Sequence, residues 1–248
     1  MIGDLATMLW KEWRSLVGGR ARRELVLSGG ALMIWAIVFP AQMGPSWATD
    51  PIPMGILGVV MPMIVAGIVV PDAIAGERER HTLATLLASR LPDRVILYGK
   101  LGFGIALGWL TAPFVLGIAI VIANIVAADA APFFYDPVAL IATLVLGLLV
   151  AVLTGAIAIF VSLRASTAQE AQQVTLIGLM VPFMLAGFGA TAVFSSGELA
   201  SGLIDFLGSP EAWLLLGAIL ATLLVIDVLL VLAADRRFRR GRLITRGV

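Results

Sequence analysis

Residues 76–100, GERERHTLATLLASRLPDRVILYGK, gather Glu77, Arg78, Glu79, Arg80, Arg90, Asp93, Arg94 and Lys100 in a chain that is 60% hydrophobic and 13% charged. Such residues could cradle a phosphate, hold a metal, or make ion pairs with a partner. A phosphate cradle of the G-x-x-x-x-G-K-[ST] type needs a lysine followed by a hydroxyl residue. The chain has two lysines, Lys11 before Glu12 and Lys100 before Leu101, and neither can complete that motif. His81 is the sole histidine and there is no cysteine, so a zinc site lacks a ligand set. A Ser/His hydrolase within the membrane has no support, because no apolar stretch contains histidine. Neither an enzyme site nor a metal or cofactor site is therefore expected in this chain, and ion pairing is the chemistry left to the block. Two further acids stand in apolar surroundings, Asp72 and Asp227. A carboxylate at mid-membrane costs roughly 2.5–3.5 kcal/mol on insertion scales, so Asp227 is expected to face protein or a wet cavity as an intramembrane polar site. It would bind substrate or a cation there, or simply bond to a neighbouring helix. Asp72 reads as structural.

The elements that position these residues follow from composition. The mean hydropathy is +1.03, far above that of soluble globular chains. Six stretches are long and apolar enough to cross a bilayer as helix: 25–43, 52–71, 101–127, 138–163, 171–194 and 212–234. They run without the alternation of a β-barrel, and in lipid the backbone must bond within each segment. The expected fold is an all-α integral membrane protein with six spans (25–234). An N-terminal segment precedes them (1–24) and a basic tail follows (235–248). The charged region reaching Glu24, followed by a full-length span, argues against a cleaved signal.

Charge placement sets the topology. All 17 Lys and Arg fall in 1–24, 76–100, 164–170 and 235–248, whereas 44–51, 128–137 and 195–211 carry acids only. All cations on one side requires an even number of crossings. The positive-inside rule then puts both termini and the 76–100 loop in the cytoplasm of a plasma (inner) membrane. The preference for Arg over Lys, with abundant Ala, points to a prokaryotic source.

The segment 1–24 reads as an amphipathic helix lying in the headgroup plane. Leu5, Leu9, Trp13, Leu16 and Val17 make its apolar stripe, and Lys11, Glu12 and Arg14 lie elsewhere around it. Gly104 with Gly108, and Gly147 with Ala151 and Gly155, form small stripes that more often pack helices within one bundle than between subunits. Pro62, Pro113 and Pro182 fall inside spans. Residues 195–211 carry Leu199, Leu203, Ile204 and Leu207 at helical spacing, consistent with a short re-entrant or interfacial helix.

Within 76–100 the spacing predicts two helices. Leu83, Leu86, Leu87 and Leu91 form a stripe behind a polar lead-in from Glu77 to His81. Pro92 ends that helix and starts a second, with Asp93 in its first turn. A free loop would leave the leucines in water, so the first helix is expected to lie on the membrane or in a protein groove. Glu77 and Glu79 favour the groove.

AIAGERERHTLATLLASRLPDRVILYGKL resembles the signature after the second span of ABC transporter type-2 permeases. That signature runs roughly A-x-E-[RK]-E-x-G-T-L-E-x-L-L, then a Pro-containing turn, then I-L-x-G-K. Glu77, Glu79, Thr82, Leu83, Leu86, Leu87, Gly99 and Lys100 match; His81 stands where Gly is commoner and Ala84 where Glu is. WKEWRSL is similar to the family's opening K-E-x-R helix. The resemblance implies a coupling helix that docks on a separate ATPase subunit through Glu77, Arg78, Glu79, Arg80, Thr82, Leu83, Leu86 and Leu87. ATP and Mg would sit on that partner. It also implies export through a pathway formed with a second permease copy or a paralogue. The apolar lining favours an amphipathic small molecule, lipid or peptide as substrate. Membrane lipid is the surrounding partner and nucleic acid is not expected. The alternatives are a scaffold or sensor working with an ATPase without transport, and an ATP-independent carrier.

Overall fold

The computed structural model describes residues 2–18, 20–49, 51–82, 85–86, 88–128, 131–195 and 209–238. The regular structure among them is helical, with no strand. Helix α1 (Ile2–Gly18) is followed by α2 (Arg20–Met43), a short α3 (Ser46–Thr49) and α4 (Pro51–Pro71). A π-helical segment, Asp72–Gly76, and a closing turn, Glu77–Glu79, continue α4 without a break. Then come α5 (Asp93–Val126), α6 (Pro137–Ser162), α7 (Ala168–Ser195) and α8 (Pro210–Arg237).

Five helices are long and apolar enough to cross a membrane: Ile52–Glu79, Asp93–Val126, Pro137–Ser162, Ala168–Gly189 and Glu211–Arg237. The chain is thus a multi-pass membrane protein in its architecture. The predicted first span, 25–43, falls within α2, whose apolar stretch among the described residues is shorter, Met33–Met43. Arg20 to Glu24 belong to α2 and not to the N-terminal helix. Residues 196–208 and 239–248, with the predicted outer helix and most of the basic tail, lie outside the described residues.

Helix α4 is the centre of the bundle, packed chiefly by α5 and α6. Glycines make that contact close. A methyl group at position 108 would lie 2.9 Å from the Pro62 carbonyl oxygen, and one at 147 would lie 2.6 Å from that of Gly58. Both stripes therefore serve packing inside this bundle, where close approach supplies dispersion that lipid cannot. By contrast α7 and α8 leave most of their apolar side chains exposed, among them Ile177, Leu185, Phe188, Leu214, Val225 and Leu229.

Two clusters hold the ends. At the charged end, Met8 of α1, Ile74 of the π segment, Ile96 and Leu97 of α5, Ile159 of α6 and Phe238 after α8 form one core. At the opposite end, buried Trp47 donates its indole N–H to the Tyr135 hydroxyl (2.8 Å), which donates to the Leu116 carbonyl (2.9 Å). Burial pushes the Tyr135 phenol up to about 12, against the opposing effect of the Trp47 hydrogen bond. The turn into α6 is fixed locally: Asp136 accepts from Ala139 N–H at 2.8 Å and Pro137 takes the first helical position.

Candidate functional site

The charged block does not begin a new helix at Glu77, as the leucine spacing predicted. Glu77 to Glu79 close the helix that contains α4, and the chain turns out of it at His81. His81 has φ 56, its N–H donates to the Arg78 carbonyl, and the Thr82 N–H donates to the Glu77 carbonyl. That pair of bonds, with a left-handed residue between, is a Schellman C-cap. Apolar periodicity could not reveal it, because the helix stops on backbone geometry and not on a change of hydropathy. The position of His81 is one that glycine occupies most readily, which gives a physical reason for the glycine in the signature the sequence resembles. The second predicted helix is present: α5 starts at Asp93, with Pro92 as its N-cap.

The four residues of the Glu-Arg-Glu-Arg run each fasten a different neighbour. Glu77 turns inward and pairs with Lys11 and with Lys100 (2.9 Å). Arg78 donates to the Ala165 carbonyl in the turn before α7. Glu79 accepts from the Ala168 N–H (3.2 Å) at the start of α7, which Thr167 also caps through Glu170 N–H (3.1 Å). Arg80 pairs with Asp72 of the π segment (3.4 Å). This pairing gives Asp72 a contact within the fold.

At the centre stands Lys100, with its side chain fully buried (0%). It donates to Glu12 Oε1 of α1 at 2.8 Å, and to the Ala73 carbonyl at 2.6 Å, besides its pairing with Glu77. The Ala73 carbonyl lies in the π segment, where a five-residue repeat shifts the backbone hydrogen bonds. Lys11 pairs with Glu12 (3.2 Å) as well as Glu77. Both lysines of the chain thus meet the same two glutamates, forming a neutral quartet in which Glu12, Glu77 and Lys100 are buried and Lys11 is half-exposed. Burial works against the Lys11 charge, but Glu12 and Glu77 outweigh it and hold its pKa above the usual value. Beside the quartet, Gly99 admits α1: a methyl group there would meet Met8 Cγ at 2.5 Å.

Helix α1 therefore sits inside out by the standards of a soluble helix. Met8 and Glu12 face the protein, and Lys11 and Ser15 flank them, while Leu9, Trp10, Trp13 and Val17 are exposed. The Arg14 guanidinium lies over the Trp10 ring at 4.9 Å.

Of the expected docking set, Arg78, Glu79, Arg80 and Thr82 lie near this hub, with Glu79, Arg80 and Thr82 exposed and Arg78 half-buried. Leu86 is half-buried against the charged-end core, together with Leu91. Leu83 and Leu87 lie outside the described residues. Asp227 is not brought to the hub. It is 2% exposed in α8, and neither carboxylate oxygen has a hydrogen-bond partner among the described residues. Helix α6, against which α8 packs, carries no charged residue. Among the described residues no group of three or more His, Cys, Asp or Glu could hold a metal.

Two concavities flank these features. One, of about 470 Å³, opens between α1 and the segment after Glu79, lined by Lys11, Ser15, Glu77, Arg80, Thr82 and Thr85 among others. The other, of about 520 Å³, is an apolar groove toward the opposite end, lined by residues of α2, α4 and α7 that include Trp35, Phe39, Ile56, Met61 and Met180.

No family model matches the chain, and no curated protein matches it. The reading of the site rests on its own residues and geometry.

Proposed function

We propose that this chain is the membrane-spanning subunit of an ATP-driven exporter, working with a separate ATPase that docks at the charged, cytoplasmic end. The observation that carries the reading is the hub after α4. One four-residue run ties the end of the central helix to α1, to α5 and to the start of α7. A force applied to the adjoining loop is thereby delivered to several spans together, which is what rigid-body coupling to a motor requires. Residues 82–91 would form the docking surface, with Thr82, Thr85 and Arg90 exposed.

Six crossings fit this arrangement. Helix α2 has 24 residues, about 36 Å at 1.5 Å per residue. It links α1, bonded to Lys100 and Glu77, to α3 and α4 at the far end, and on this reading would supply the first crossing. Both termini would then be on the cytoplasmic side of a prokaryotic plasma membrane, the side on which the positive-inside rule puts the basic segments. Two such bundles, identical or paralogous, would line the pathway. The apolar groove favours an amphipathic small molecule, lipid or peptide.

The test is purification of the tagged chain from its native host in mild detergent. A stoichiometric ATPase that hydrolyses ATP in the purified complex is expected, and charge reversal at the exposed Arg90 should release it. Recovery of the folded chain alone would remove the motor, leaving a carrier or scaffold.

A further inference from the structure

Glu77 presents an unusual atom. Its Oε1 takes both lysines, while its buried Oε2 has no hydrogen-bond partner among the described residues. A buried carboxylate oxygen left unpaired is costly, so a site that retains one is built to receive a donor. Glu77 lines the groove of about 470 Å³ described above, within the usual range of small-molecule pockets, roughly 300–1,000 Å³.

The groove supplies both signs of charge. Lys11 (37% exposed) and Arg80 (40% exposed) stand at its rim, whereas their acid partners Glu12, Glu77 and Asp72 are at most 14% exposed. Ser15 and Thr85 add hydroxyls that can donate to an oxyanion, whereas the Thr82 hydroxyl donates to the Glu77 carbonyl (3.2 Å). The quartet is neutral and so is the Arg80–Asp72 pair, so the groove has no excess charge to favour a simple anion. A ligand that fits must carry a phosphate for the cations and an ammonium with N–H donors for Glu77. The groove also opens on α1, whose outer face presents Leu9, Trp10, Trp13 and Val17. A helix with its side chains is about 10–12 Å across, so the groove lies one helix diameter from that apolar face. An apolar face with two Trp belongs at the membrane interface.

We infer that the groove lined by Lys11, Ser15, Glu77, Arg80, Thr82 and Thr85 binds the phosphoethanolamine headgroup of a membrane phospholipid, its phosphate on Lys11 and Arg80 and its ammonium on Glu77 Oε2. The acyl chains run out past Trp10 and Trp13. This goes beyond the transport reading and does not depend on it. Choline lacks N–H donors and leaves Glu77 unpaired, so the site discriminates phosphatidylethanolamine from phosphatidylcholine.

The full chain, delipidated in detergent, is titrated with phosphatidylethanolamine, its mono- and dimethyl derivatives, phosphatidylcholine and phosphatidylglycerol, and bound lipid is counted by native mass spectrometry. One tightly held phosphatidylethanolamine per chain is expected. Affinity should fall along the methylation series to at least about tenfold weaker for phosphatidylcholine, the scale of one charge-assisted hydrogen bond. Phosphatidylglycerol should also bind more weakly. Arg80→Gln and Thr85→Val, both at exposed positions, should each weaken phosphatidylethanolamine binding without flattening the methylation series. Equal retention of phosphatidylethanolamine and phosphatidylcholine overturns the proposal, as does phosphatidylglycerol binding tightest. A groove that holds no lipid and is closed by a co-purifying protein overturns it too. The methylation series is read on the native sequence, so a variant that fails to fold does not blunt the test.

Discussion

Lys100 and Glu12 lie 88 residues apart, yet the Lys100 ammonium reaches Glu12 Oε1 at 2.8 Å in a buried environment. This contact fixes the N-terminal helix to the base of α5, and through Glu77 to the end of α4. Two charges buried together need each other more than they add net stability: breaking such a pair is costly because the survivor stays buried.

Lys100→Met leaves Glu12 and Glu77 facing each other with Lys11 alone to compensate. We expect a loss of about 3–5 kcal/mol, read as a lowered Tm and as faster amide exchange in α1. The double variant Lys100→Met with Glu12→Gln should recover part of that loss, giving a coupling of roughly 0.5–3 kcal/mol. Strict additivity of the two changes would mean that the pair does not interact.

His81→Gly should stabilise the protein by about 0.5–1 kcal/mol. Relief of a left-handed backbone at a residue with a Cβ exceeds the entropy that glycine adds to the unfolded chain. His81→Val should destabilise it, since β-branching makes φ 56 worse. Thermal unfolding in detergent separates the three forms, and the order Gly above His above Val is the expected one.

How far the sequence anticipates this hub depends on which force sets each element. The long apolar runs of α4 to α8 dominate their windows, so hydropathy places them to within a few residues. The small stripes at Gly104 and Gly147 also read correctly as packing within the bundle, because spacing by four puts them on one face. The continuation of α4 beyond Pro71 to Glu79 was hidden, since a π segment and a C-cap at His81 are backbone features inside an apolar-to-charged transition. The quartet was hidden for another reason. Lys11, Glu12, Glu77 and Lys100 stand in three separate segments, and nothing local says that polar residues of an amphipathic helix will face protein. The signal was there in part: the only two lysines of the chain both sit in motif-like passages.

Gly108→Leu should pry α5 from α4, because the side chain would meet the Pro62 carbonyl and the Ala66 backbone. Overpacking of this kind costs typically about 1–3 kcal/mol. Gly117→Leu, on the same helix but with open space around it, is the control and should leave the Tm near that of the native protein.

Tyr135→Phe removes one hydroxyl and strands the buried Trp47 indole N–H, whereas the Leu116 carbonyl loses only a second donor and keeps its place within α5. The expected loss is about 1–3 kcal/mol, with a shift in tryptophan emission at the opposite end of the bundle. Tolerance of the change without either effect would contradict the bonded chain.

Alkaline pH tests the quartet without mutation. The folded-state pKa of Lys11 is raised by Glu12 and Glu77 over the counteracting burial, so the stability it contributes is complete below its unfolded value of about 10.5. It is lost as pH rises through the folded value. Release of α1, followed by quenching or exchange at Trp10 and Trp13, should begin above that pH, and Lys11→Met should abolish this step.

The central claim is that residues 82–91 carry the docking surface for a separate ATPase. A photo-reactive amino acid placed at Thr85 or Arg90, both exposed, can be activated in intact cells of the native host. The account predicts one covalent adduct, to a nucleotide-hydrolysing subunit, and no such adduct from Phe134 at the opposite end of the bundle. Adducts to that subunit from Phe134, or to none from Thr85 and Arg90, would contradict it.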